Sequence, residues 1–308
     1  MKPFPLVLAV IATFCLLTLS SQAAGSSPLK DFLVSRGYTA VKMERQYNTP
    51  FIRVRVNEKA AIFVIATNSV KSGIDRASRA RFGFSERQTG GRVKGTFGLT
   101  NERYGLTQLN RVVIGGSSFT NFPAAVLNLA DLARGPNIGH ADGLIGQAEM
   151  RRYGAVIDFS QEMFYINPIG ADASVTEKLK SLLKDRGFIR IPMRFSSDQF
   201  QVACQINGHP TKIAVDTGAF FTVLKIQTAN QTGVRFVPGS IIGGAAGGIH
   251  RRLNTATIRD FVVGECRTAN QNIAVANALF DCLGVNYLTV NAAIIDIDGA
   301  NLYLRCSH

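Results

Sequence analysis

The sequence predicts an all-β chain in which one lobe is built twice, with a few short helices. Three observations carry this: an internal repeat, alternating strand text broken by Gly and Asn turns, and a strand that enters the same loop frame in both copies. Leu29 to Ser69 aligns without a gap on Leu179 to Ala219. Leu29, Lys30, Leu33, Arg36, Gly37, Met43, Asn57 and Thr67 all meet identical residues. Each copy opens with a short amphipathic helix followed by a glycine able to end it, Gly37 or Gly187. Alternating strands follow, "FIRVRV" and "FQVACQI", and the pairs Asn57-Glu58 and Asn207-Gly208 predict hairpin turns. The copies also end alike. "DGLIG" (Asp142 to Gly146) meets "DCLG" (Asp281 to Gly284), and "AVIDFSQEMFYI" (Ala155 to Ile166) meets "AIIDIDGANLYL" (Ala293 to Leu304). Ile169 to Thr176 reads as a linker, which places the lobes at 24–170 and 171–308.

Composition fits this plan. The 308 residues are 46% hydrophobic and 18% charged, which suits a globular chain of two ordinary lobes. The first 23 residues stand apart: Lys2, then "PLVLAVIATFCLLTL", then small residues, the pattern of a secretory signal peptide cut after Ala23. The apolar run is short for a membrane span, and no other long apolar run follows, so the mature protein is expected to be exported, secreted or periplasmic, with no integral membrane segment. Cys15 lies in that leader. Cys204, Cys266, Cys282 and Cys306 remain, and in an oxidising compartment they suggest one or two disulfides or buried thiols. Cys266 with Cys282, flanking one loop, is the favoured pair. The net charge of +13 favours acidic partners or anionic surfaces, but the basic residues are dispersed and form no nucleic-acid motif. No nucleic-acid partner is expected.

The chemistry concentrates in "IAVDTGAFFTVL" (Ile213 to Leu224). An apolar strand delivers Asp216 to a loop, Thr217 can hydrogen-bond beside it, and Gly218 permits a tight turn. A carboxylate so placed can bind a cation or amine, or act as a general base towards water. The first copy, "FVIATNSVKSGI" (Phe63 to Ile74), keeps the frame but reads Ala66, Thr67, Asn68.

This loop resembles the active-site loop of aspartic peptidases of the retropepsin and pepsin kind. The Gly-rich "GSIIGGAAGGIHRR" (Gly239 to Arg252) follows where a retropepsin-like flap would sit, with Gly243, Gly244, Gly247 and Gly248 as flap residues. "CLGVNYL" (Cys282 to Leu288) resembles the element that crosses behind such a loop and braces it, and "AIIDIDGANLYL" resembles a terminal hairpin of bacterial retropepsin-like proteins. The resemblance covers nearly the whole mature chain and implies two retropepsin-like β-barrel lobes. It assigns Asp216, Thr217 and Gly218 to catalysis, with Ala66, Thr67 and Asn68 as their degenerate counterpart. It implies no cofactor and no metal.

The family mechanism uses two carboxylates that share one proton and hold a water, their pKa values split by mutual repulsion. With Ala66 opposite, Asp216 has no such neighbour and is expected to stay ionised. Three readings follow: a pseudopeptidase that binds a peptide or extended polypeptide between its lobes; an endopeptidase in which Asp216 pairs with Asp216 of a second chain in a homodimer; or weak chemistry by Asp216 with another group, His250 being the nearby candidate. A structural envelope role is a further alternative. The first copy's flap, "TGGRVKGTFGL" (Thr89 to Leu99), keeps glycines but departs in pattern. Asp158 and Asp296, at equal positions in the terminal hairpins, are expected to shape turns. Asp142 and Asp281, also matched, could cap the segment before the Gly element. No Ser-His-Asp or HExxH pattern is present, and the Gly clusters lack a dinucleotide-site setting.

Overall fold

The computed structural model describes residues 27–130, 132, 140–245 and 249–306. The expected signal peptide, with Cys15, lies outside these residues. Each copy forms an eight-stranded sheet of the same order. In the first lobe the order is Glu44–Gln46, Thr49–Val56, Lys59–Ile65, Gly143–Ile145, Gly73–Asp75, Ser117–Leu127, Gly98–Ile114, Arg87–Gly95. In the second it is Arg194–Ser196, Gln199–Ile206, His209–Val215, Cys282–Leu283, Val223–Lys225, Cys266–Ala276, Ile249–Val263, Phe236–Ala245. An extra pairing of Thr49–Val56 with Gly98–Ile114, and of Gln199–Ile206 with Ile249–Val263, curls each sheet towards closure.

The predicted turns form as their residues dictate. Asn57 and Glu58 have φ of 46° and 68°, and Asn207 and Gly208 have 49° and 82°, the left-handed pair that a tight hairpin needs. The opening helices are Pro28–Ser35 and Ala173–Lys184, and Gly37 and Gly187 follow them with φ of 84° and 77°. The second helix begins inside the stretch expected as linker, because Asp172 caps it by accepting the Ser174 N–H at 2.9 Å.

A third sheet joins the lobes. Its six strands run Thr39–Lys42, Met163–Ile166, Val156–Asp158, Ile294–Asp296, Asn301–Leu304, Ile189–Pro192, three from each copy. The terminal hairpins of the two copies therefore meet edge to edge, Ile157 opposite Ile295. The two opening helices cover this sheet, burying Leu29, Leu33, Leu179 and Leu183 against Tyr165 and Tyr303. Asp158 and Asp296 shape their turns: Asp158 accepts the Ser160 and Gln161 N–H groups, and Asp296 accepts that of Gly299 at 3.0 Å. One apolar cluster runs from Met43 in the first lobe to Leu304 at the end of the second.

The disulfide differs from the favoured pair. Cys266 bonds Cys306, with Cα atoms 5.6 Å apart, while Cys204 and Cys282 are buried free thiols. Nearness in sequence misled here. Cys282 sits in a two-residue strand registered on Ala214, whereas the last strand, held against Ile189–Pro192, carries the chain end back to Cys266.

Candidate functional site

The loops after Lys59–Ile65 and His209–Val215 meet at the junction of the lobes. Their backbones match despite different side chains. Ser69 N–H donates to Ala66 O at 3.1 Å, and Ala219 N–H donates to Asp216 O at 3.2 Å. Each loop is braced from behind by the Gly element of its own lobe. Gln147 N–H donates to Ser69 O at 2.7 Å, and Val285 N–H donates to Ala219 O at 2.8 Å. The crossing is so close that a Cβ on Gly146 would lie 2.3 Å from Lys71 O, and one on Gly284 2.3 Å from Phe221 backbone. Only glycine fits either position. The matched carboxylates stiffen the same region: Asp142 accepts the Ile62 N–H at 2.9 Å, and Asp281 that of Lys225 at 2.7 Å.

The two loops grip each other through their threonines. Thr67 Oγ1 donates to Val215 O at 2.8 Å and accepts the Thr217 N–H at 3.0 Å. Thr217 Oγ1 donates to Ile65 O at 2.6 Å and accepts the Thr67 N–H at 3.0 Å. Both side chains are buried, so these four bonds satisfy groups that water cannot reach. The arrangement is reciprocal about a pseudo-twofold axis between the lobes.

Asp216 lies beside this axis and is only 5% exposed. Its Oδ1 accepts the Gly218 N–H at 2.9 Å. Its Oδ2 faces the Asn68 carboxamide, whose Nδ2 donates at 3.3 Å. Across the axis stands Ala66, with a methyl group where a second carboxylate would extend. Burial drives the Asp216 pKa up from 3.8 to about 6, and the bonds from Gly218 and Asn68 offset part of that rise. Asp216 therefore remains mostly ionised at neutral pH, but its titration moves up towards about 6. No like charge is needed, because loss of solvent alone disfavours the anion.

Asp216, Gly218, Ala66 and Asn68 line a cleft of about 800 Å³ between the lobes. Val93, Leu127 and Leu144 form its first-lobe wall, and Phe220, Phe221 and Phe280 its second-lobe wall. The hairpin of Arg87–Gly95 and Gly98–Ile114, from the first lobe, reaches across. Leu279 N–H donates to Thr96 O at 2.8 Å, and Phe97 packs against the aromatic cluster of the second lobe. A larger groove of 1230 Å³ lies on the second lobe around His209, Arg235 and Arg259, but its carboxylate, Asp260, is already paired with Arg267, while the Asp260 backbone N–H donates to Asn207 Oδ1.

The structure thus brings Asp216, Thr217 and Gly218 together with Ala66, Thr67 and Asn68. Gly243 and Gly244 lie in the strand Phe236–Ala245, opposite Arg251 and His250, while Gly247 and Gly248 lie outside the described residues. Sequence reasoning missed Asn68 as the group that contacts Asp216, having read it only as a lost glycine. It missed the threonine grip, although the identity of Thr67 and Thr217 at equal positions was its signal. Among the described residues, no three His, Cys, Asp or Glu side chains gather to hold a metal.

Two β lobes that clasp each other through an Asp-Thr-Gly loop and an Ala-Thr-Asn loop of the same frame have the aspartic-peptidase fold of the retropepsin and pepsin kind, and that is the fold of this chain. The family described as "gag-polyprotein putative aspartyl protease" matches residues 202–289, which contain the intact loop and its brace. Among solved structures, an aspartic proteinase from Irpex lacteus is 13% identical over 88% of this chain and 97% of its own, with a TM-score of 0.49. Basic 7S globulin from soybean is 11% identical over 87% and 94%, with a TM-score of 0.47. The EIAV protease, solved with the inhibitor HBY-793, is 22% identical over 29% of this chain and 85% of its own, with a TM-score of 0.27. No curated protein matches the chain in sequence.

Proposed function

We propose that this is an exported polypeptide-binding protein: a pseudopeptidase, with lobes at 24–170 and 171–308, that holds an extended chain in its inter-lobe cleft without cleaving it. The observation that carries this reading is the Ala66 methyl opposite Asp216 in an otherwise intact loop frame. Paired-carboxylate hydrolysis needs one acid and one base around a shared water. Here a single carboxyl group faces a methyl and a carboxamide, and neither of those titrates. The rest of the cleft keeps what binding requires: two apolar walls, a gripped floor, and a hairpin beside which an extended segment can add as a strand. Among the described residues no helix is long and apolar enough to cross a membrane.

The intrachain geometry also weighs against a homodimeric peptidase. Asp216 bonds Asn68 of its own chain, and bringing it to a second Asp216 would break all four bonds of the threonine grip. The test is incubation of the mature protein with a peptide library from pH 3 to 8, read by mass spectrometry and by retention of uncut peptides. Retention without cleavage is the expected result. Cleavage that disappears in Asp216→Asn would overturn the proposal.

A further inference from the structure

We infer that the cleft selects acidic polypeptide segments, in which glutamate or aspartate residues flank bulky apolar ones. This rests on the polypeptide-binding reading above. Three cationic side chains line the first-lobe side of the cleft: Lys71 in the loop beyond Asn68, and Arg92 and Lys94 on the hairpin strand Arg87–Gly95. All three are exposed, and none has an acidic partner within salt-bridge distance among the described residues. Elsewhere on this lobe the arginines that face carboxylates are paired off: Arg45 with Glu162, Arg53 with Glu44, Arg76 with Glu86 and Glu102, Arg81 with Asp142, Arg111 with Glu58. The cations at the cleft therefore remain available to a ligand. Between them and the aromatic wall, the only carboxylates lining the cleft among the described residues are Asp198 at its second-lobe edge and Asp216 on its floor. The rim is positive and the walls are apolar, and an extended chain alternates its side chains between such surfaces. A ligand complementary to both presents apolar residues to the Val93 and Phe280 sides and acidic residues to the rim. A polyanion without apolar side chains satisfies only half of the site.

Calorimetric titration of the full mature protein with three peptides tests this. The peptides share one Phe- and Leu-containing core and differ in flanks of Glu, Gln or Lys. Each exposed ion pair contributes a few-fold at most, so three together give the Glu-flanked peptide about a tenfold advantage over the Gln-flanked one at low salt. The advantage shrinks towards unity as added salt shortens the screening length. Substituting Lys71→Gln, Arg92→Gln and Lys94→Gln together removes the gap while binding of the Gln-flanked peptide persists. Removing equal charge at Lys30, Lys178 and Lys184, on the opening helices, leaves the gap intact. Equal affinity for all three peptides would overturn the inference and leave the polypeptide-binding reading standing. So would a gap that survives the rim variant or vanishes in the helix control, or equal binding of polyglutamate. No binding of any peptide would remove both.

Discussion

Asp216→Asn is predicted to stabilise the protein at neutral pH and to do so far less in acid. The carboxyl is buried on the lobe junction, and burial raises its pKa from 3.8 to about 6. A folded-state pKa above the unfolded one means that the folded protein binds the proton more tightly. The favourable contribution is complete below about 3.8, where both states are protonated, and is lost as pH rises through about 6. A rise of this size corresponds to about 3 kcal/mol of penalty on the folded state at pH 7.5. Asparagine is nearly isosteric, carries no charge, and its carbonyl oxygen can still accept the Gly218 N–H. Urea unfolding of the wild type and Asp216→Asn at pH 7.5 and pH 4.0 measures the effect. The variant should exceed the wild type by about 2–3 kcal/mol at the higher pH and by less than about 1 kcal/mol at the lower. A difference that does not change with pH, or a variant that is less stable at pH 7.5, would refute the claim that Asp216 pays a desolvation cost in the folded state.

Three further outcomes follow from the same geometry. Thr67→Val removes one donor and one acceptor from the buried grip and leaves Val215 O and the Thr217 N–H without partners, at a cost of about 2–4 kcal/mol by urea denaturation. Thr217→Val should cost the same, and the double variant less than the sum, since both report one network. Replacing Cys266 and Cys306 with alanine opens a loop of sequence separation 40 and should lower stability by roughly 4 kcal/mol, while Cys204 and Cys282 stay unreactive towards a thiol reagent until the protein is denatured. Ala66→Asp with Asn68→Gly supplies the second carboxylate and clears the carboxamide from Asp216, so peptide cleavage should appear at acidic pH in mass-spectrometric assays. Ala66→Asp alone, with Asn68 still in place, should give much less, and a folded but inert double variant would show that more than these two residues disables the site.

The duplication, the hairpin turns and the loop frames were legible in the sequence because each is a local pattern. Asn57-Glu58 and Asn207-Gly208 announce left-handed turns by residue type, and Gly37 and Gly187 end helices for the same reason. What could not be read is what the pseudo-twofold axis creates. The six-stranded sheet unites hairpins whose likeness was visible, but whether two similar edges pair with each other depends on how the lobes dock. Cys306 reaches Cys266 only because the last strand runs back along Ile189–Pro192. The raised pKa of Asp216 comes from burial under the opposite lobe, which no residue near it in sequence reports.

The loop is written twice, once without its carboxylate, because it does two separable jobs. Its threonine ties the lobes together: Thr67 closes on Val215 and Thr217 closes on Ile65, so neither can be lost without stranding buried backbone groups. The Asp216 carboxylate takes no part in that grip and bonds Gly218 and Asn68 instead. At position 66 an alanine fits the same backbone, keeps the Ser69 to Ala66 turn, and avoids placing a second buried negative charge beside Asp216. Alanine at 66 therefore avoids electrostatic repulsion while the threonine clasp is complete. The clasp and the carboxylate are different side chains of one loop, which is why the proposed reading can combine an incomplete carboxylate pair with an intact inter-lobe cleft.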